Sequence, residues 1–321
     1  MKTEKSELIN RPINQLELYG YENYFNFFEK LYKKNKLPNS IILSGSKGLG
    51  KATFAYHFIN FLLSQDENYK YNKEKLTINS NNSSYKLATN GIHSNLFILD
   101  SFDEENVKIE KVRELLLFLN KTTYYKGLKI VLIDNAEKLN VNSSNALLKA
   151  IEEPSKDTYF FIINNDNTKI LSTIKSRCID FNINFDLFQR KNIFNNIIKK
   201  YEFIYDQSDL NNFLYFDSHG NLIKYLNVLK NSNISISSND VSCISYLLEI
   251  YNVKKDNKIL SFLSVFIQNY YNQLALNNSA LISNYYNNLN KILYLIDDMK
   301  KFTLDKKNLI FSIDKIIKNE R

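Results

Sequence analysis

One nonapeptide, GSKGLGKAT at Gly45–Thr53, restricts the possible architecture more than any other feature of the chain. Gly45, Gly50 and Lys51 follow the spacing G-x-x-x-x-G-K, in which backbone N–H groups cradle phosphate, and Gly48 adds a third glycine inside the loop. The preceding SIILSG is a short β-branched run, predicted as a buried strand. The following KATFAYHFINFLLS places Phe54, Phe58, Phe61 and Leu62 at helical spacing. A glycine loop between strand and helix is the context in which the helix amino terminus and the loop N–H groups form an anion site. Lys51 would reach the terminal phosphates. The next position should carry the hydroxyl that ligates Mg²⁺, yet it is Ala52. Thr53 has a hydroxyl, but one position further along a helix it points about 100° away.

The rest of the chain extends the same pattern. A helix is predicted over 21–36, strands over 95–100 and 158–165 and at the start of 127–139, and helices over 107–122 and 142–154. TIKSRCIDFNI (173–183) runs from a helix end into a fifth strand. Strands alternating with helices imply parallel βαβ units. The polar, low-complexity stretch 64–92 is expected to be a loose insertion with little core. After residue 184 the strand signals fade, and helical patterns cover 186–230 and 241–318 on either side of a polar linker at 231–240. The expected class is therefore α/β: a phosphate-loop domain with a five-stranded parallel sheet (1–183), a small helical domain (184–232) and an all-helical carboxy-terminal domain (238–321).

The acids divide unevenly. IVLID ends in Asp134, where a phosphate-loop enzyme keeps the carboxylate that helps hold Mg²⁺. The next residue, where many such enzymes place a glutamate to activate water, is Asn135, and an amide cannot accept a proton as a carboxylate does. Glu137 reads as a surface residue. The Glu152–Glu153 pair in IEEP reads as a helix end, because neighbouring helical residues face different directions. Arg177, in SRC, has the planar fork that pairs with phosphate oxygens. His57, His93 and His219 show no ligand or triad spacing. The two cysteines, Cys178 and Cys243, make neither a zinc ribbon nor a disulfide framework and fit a reducing cytoplasm. MKTEKSELIN lacks the apolar core of a secretory leader, and no apolar run is long enough to span a bilayer. A net charge of +8 suits an acidic partner such as nucleic acid, or equally a lysine-rich solvated surface of a composition skewed to Asn, Lys and Ile.

Three stretches, LPNSIILSGSKGLGKATFAYHFINFLL, GLKIVLIDNAEKLNVNSSNALLKAIEEPSKDTYFFIINN and ILSTIKSRC, resemble the AAA+ clamp-loader family of DNA replication. Within that family they look most like the delta-prime branch. The resemblance is specific over about residues 17–183 and rests on domain order beyond them. It implies a hetero-pentameric ring of motor and delta-like subunits that opens a sliding clamp and closes it round primed DNA, with no membrane partner. It also implies a largely non-hydrolysing subunit whose Arg177 serves as an arginine finger in a neighbour's ATP site. The lid would be 184–232 and the ring-forming collar 238–321. Gly45, Gly48, Gly50, Lys51, Thr53 and Asp134 would be a vestigial nucleotide site. No cofactor is required, and ATP binding stays open. Many relatives carry four zinc-binding cysteines where this chain has 64–92, so no zinc is expected. Where motor subunits carry a sensing arginine in the lid, this chain has Ile223. Two other readings remain: an active ATPase subunit using Thr53 and a shifted acid, and a stand-alone DNA-binding AAA+ protein.

Overall fold

Five strands form one parallel sheet: β1 (Ser40–Ser44), β2 (Leu96–Leu99), β3 (Lys129–Ile133), β4 (Thr158–Asn164) and β5 (Ile179–Asn182), the last of which alternates apolar and polar residues. Their order is β2-β3-β4-β1-β5, with every pair parallel. The computed structural model describes residues 11–100, 109–121, 128–165, 170–201, 207–229, 241–301 and 306–318. The amino-terminal decapeptide and the linker expected at 231–240 lie outside them. The described chain divides into two compact units, Met1–Asp186 and Leu187–Arg321.

In the first unit, β1 and β3 are buried at every position. Their continuous apolar centres, Ile41–Leu43 and Ile130–Ile133, follow from helices covering both faces. Successive side chains point to opposite faces, and the core divides accordingly. Phe161 meets Phe58 of α2 (Lys51–Leu63), whose ring also packs edge-on to Phe25 and Phe28 of α1 (Glu22–Lys33). Phe160, Ile162, Val131 and Ile42 pack with Val112 and Leu115 of α4 (Ile109–Asn120) and Leu147 of α5 (Val141–Glu152). Each such buried side chain contributes roughly 1.5–3 kcal/mol. α5 starts at the Asn140 cap, whose side chain accepts from Ser143 N.

The stretch 64–92 differs from the loose insertion expected. It contains a short helix, α3 (Ser83–Thr89), and buries Tyr71, Leu76 and Ile78. Asparagine side chains do the ordering. Asn82, fully buried, accepts from Tyr85 N at 2.7 Å and Asn60 Nδ2 at 2.9 Å and donates to Tyr69 O at 2.7 Å. Glu67 accepts from Ser83 N and Ser84 N at the start of α3. A polar composition thus hides a segment whose core is partly hydrogen-bonded rather than wholly apolar.

The second unit is helical: α7 (Leu187–Lys200), α8 (Gln207–Phe213), α9 (His219–Leu229), α10 (Val241–Lys254), α11 (Asn257–Asn277), α12 (Ile282–Lys301) and α13 (Lys306–Lys318). It holds both stretches expected as lid and collar. Within it the long α11 meets the earlier helices through Phe266 against Phe213 and Phe262 stacked on Tyr225, each pair at 4.6 Å. Among the described residues no helix is long and apolar enough to cross a membrane.

Candidate functional site

The strand order brings the carboxyl ends of β1, β3 and β4 side by side, with Ser44 opposite Asn164 and Ile133 opposite Ile162. In open parallel sheets this edge is where ligands bind. The glycine loop leaves β1 here, and Asp134 and Asn135 follow β3.

Gly45 has φ 137°, and a Cβ built on it would lie 2.4 Å from the Ile183 carbonyl oxygen. The glycine is required by the close passage of the chain just after β5, where Ile183 N donates to Ser44 O at 2.8 Å. Gly50 caps α2 in the left-handed region, which any side chain would strain. Lys51 follows, only 2% exposed. Its ammonium donates to the carbonyl oxygens of Gly45 and Ser46, both at 2.8 Å, crossing the loop and using two of its three donors. Burial pulls the amine down to about 8, opposed by the charges of Glu137 and Asp134.

Asp134 is 6% exposed. Burial, reinforced by the charge of Asp100, pushes its carboxyl up to about 6, while a hydrogen bond from Asn135 N and the Lys51 charge oppose the rise. Asn135 adopts φ 58°, ψ 54°, a left-handed conformation that asparagine tolerates better than most residues. Its side-chain oxygen accepts from Asn165 Nδ2 at 3.0 Å. Asn165 also donates from Nδ2 to Glu137 Oε1 at 3.1 Å and from its backbone N to Glu137 Oε2 at 3.3 Å. Glu137 is therefore not simply a surface residue. It is half-buried, its carboxylate is fastened to the residue that follows β4, and its charge bears on Lys51. Asn165 was not among the residues expected here. A polar side chain just past a central strand at this edge is the signal that could have found it. Thr53 lies in the first turn of α2, partly buried, and makes no hydrogen bond with Asp134 or Lys51.

Arg177 stands apart from this cluster. It follows the short helix α6 (Ser172–Lys175). Its Nε donates to Glu152 Oε2 at 2.8 Å and its Nη1 to Thr173 O at 3.0 Å. Glu152 is the last residue of α5, so the helix-end reading of that carboxylate holds. The pair with Arg177 joins residues 25 apart and has no local sequence signal.

The remaining candidates have structural surroundings. Burial, with Asp180 nearby, pushes the Cys178 thiol up to about 12 and keeps it protonated. His57 is buried between the Tyr71 hydroxyl and the Gln15 carbonyl, each at 3.0 Å. Ile223 is buried in the second unit. Among the described residues no group of three His, Cys, Asp or Glu side chains is placed to hold a metal ion.

A family described as DNA polymerase III, delta subunit, matches residues 20–186. The chain is 34% identical over 142 residues to the DNA polymerase III subunit delta' of Pseudomonas aeruginosa, covering 44% of this chain and 42% of that protein. It is 27% identical over 235 residues to the DNA polymerase III subunit gamma of Buchnera aphidicola subsp. Schizaphis graminum, covering 72% and 61% respectively. The matched stretches thus span about half the length of these relatives. Among solved structures, a DNA polymerase III gamma subunit-related protein of Thermotoga maritima overlays with a TM-score of 0.47 at 15% identity, covering 90% of this chain and 97% of that one.

Proposed function

The chain belongs to the DNA polymerase III delta-subunit family, as a delta-prime-like AAA+ clamp-loader protein, and we propose that it is the largely non-hydrolysing subunit of such a loader. In this reading it assembles with motor and delta-like subunits into a hetero-pentamer that places a sliding clamp on primed DNA. Arg177 enters the ATP site of the adjacent motor subunit.

The observation that carries the reading is Asn135. It stands where hydrolysis needs a carboxylate, and its amide is engaged by Asn165. No base is left at that position to take the proton of an attacking water. Ala52 supports the same conclusion by removing the metal-ligand oxygen beside Lys51. The loop itself keeps its shape, since Lys51 still bridges the Gly45 and Ser46 carbonyls. Its remaining donor suits weak phosphate binding. Division of the second unit into lid (184–232) and collar (238–321) belongs to the same proposal.

A second reading, an active ATPase, draws on Glu137. Its half-buried carboxylate lies against Asn165 and acts on Lys51, and the similarity to a gamma subunit points the same way. ATP turnover separates the two. The isolated chain is expected to hydrolyse ATP at background rate. Robust turnover abolished by both Lys51→Ala and Glu137→Gln would replace the first reading with the second. In a reconstituted loader, Arg177→Ala is expected to leave assembly intact and to lower clamp- and DNA-stimulated ATPase and clamp loading. Trans-acting arginines contribute about 10³–10⁵ in rate in well-characterised GTPases, but only the one site facing this subunit loses that help. Normal ATPase and loading by an assembled Arg177→Ala complex would refute the arginine's role.

A further inference from the structure

We propose that Glu152 is a positioning residue for Arg177, holding the guanidinium so that one nitrogen is presented to an anion on a neighbouring molecule. The inference rests on the trans-acting reading of Arg177. Three contacts fix the guanidinium plane: Nε to Glu152 Oε2 at 2.8 Å, Nη1 to Thr173 O at 3.0 Å and Nη1 to Ser176 Oγ at 3.4 Å. Of the five N–H donors of an arginine, these engage the Nε and Nη1 sides. Nη2 makes no hydrogen bond among the described residues. Both of its donors remain for an incoming phosphate oxygen.

The holders come from two different elements. Thr173 lies in α6 and Ser176 caps it, whereas Glu152 closes α5. Gripped from both sides, the fork keeps its orientation before any ligand arrives. An arginine left alone on a surface loses rotamer freedom when it is captured, and here that loss precedes binding. The pair is open to water, with the Arg177 and Glu152 side chains 31% and 55% exposed. Such exposed pairs add little to folding, so orientation rather than stability is what Glu152 supplies. A phosphate at Nη2 would share the cation's charge with Glu152 without displacing it from Nε.

The test uses the reconstituted loader with ATP, sliding clamp and primed DNA. Glu152→Ala is expected to reduce the turnover that Arg177 supports by roughly 3- to 30-fold, in kcat and not in the KM for ATP, because misplacing a catalytic group acts on the transition state. Glu152→Gln keeps an oxygen for the Nε–H and should recover most of the rate. Arg177→Ala with Glu152→Ala should be no slower than Arg177→Ala alone, and all variants should melt as the wild type does. If Arg177→Ala is slow while Glu152→Ala matches wild type, positioning fails and the trans-acting reading stands. If Arg177→Ala itself matches wild type in an intact complex, the trans-acting reading fails and this inference with it. A further loss on adding Glu152→Ala to Arg177→Ala would mean that Glu152 acts by another route, which also overturns the proposal.

Discussion

Replacing Gly45 by alanine separates the structural need for that glycine from any need imposed by nucleotide. The new Cβ would sit 2.4 Å from the Ile183 carbonyl oxygen, at a backbone φ of 137°. The backbone strain costs roughly 1–3 kcal/mol. The overlap is with main chain, which cannot rotate aside, and β5 must move off β1 at the Ile183–Ser44 hydrogen bond; overpacking of this kind costs about 1–3 kcal/mol more. Reduced freedom of the unfolded chain returns about 0.4–1 kcal/mol. The expected net loss is about 1–5.5 kcal/mol in the absence of nucleotide. Gly91→Ala is the control. Its φ is 69° with nothing within 4 Å of the added atom, so only a left-handed penalty of about 1–2 kcal/mol applies, less the same unfolded-state gain. The chain has no Trp, so urea unfolding is followed by far-UV circular dichroism. Two compact units can unfold in separate transitions, and hydrogen exchange in β1 and β5 peptides identifies the relevant one. If Gly45→Ala and Gly91→Ala destabilise equally, the close approach of Ile183 is not what demands glycine at 45.

Three further outcomes are expected. Asp134, ordinarily near 3.8, titrates at about 6 in the folded chain. The folded state therefore keeps a proton that the unfolded state has lost, and stability falls as pH rises from about 4 to 6. Asp134→Asn should exceed wild type by up to about 3 kcal/mol above pH 6, a figure in which the opposing Lys51 attraction is already included, and the advantage should vanish near pH 4 in parallel urea titrations. His57→Phe strips the Tyr71 hydroxyl and the Gln15 carbonyl of their shared partner; it should cost about 2–4 kcal/mol and speed proteolysis within 64–92, whereas unchanged melting and cleavage would show those bonds to be dispensable. Dialysis against a chelator should leave the melting curve unchanged and elemental analysis should find no stoichiometric zinc, since Asn82 and Glu67 hold the insertion through hydrogen bonds; a metal-dependent melt would contradict this.

The phosphate loop, the buried strands and the helices after them were legible in the sequence because each is written within a few residues. Glycine at fixed intervals, β-branched runs and apolar side chains at helical spacing are local consequences of backbone geometry. Ala52 and Asn135 were legible as departures from the motif for the same reason, since each occupies a defined place in a short pattern. Tertiary structure decided how polar side chains far apart in the chain find one another. Asn165 reaches Asn135 and Glu137 across 30 and 28 residues because β4 lies beside β3 in the sheet. Glu152 reaches Arg177 because α5 ends where α6 turns into β5. The insertion's asparagines read as a polar surface until Asn82 is seen fully buried, with its amide hydrogen-bonded on both sides. A hydrogen bond depends on distance and angle alone and leaves no periodicity along the chain, so such pairs exist only once the fold has set those distances.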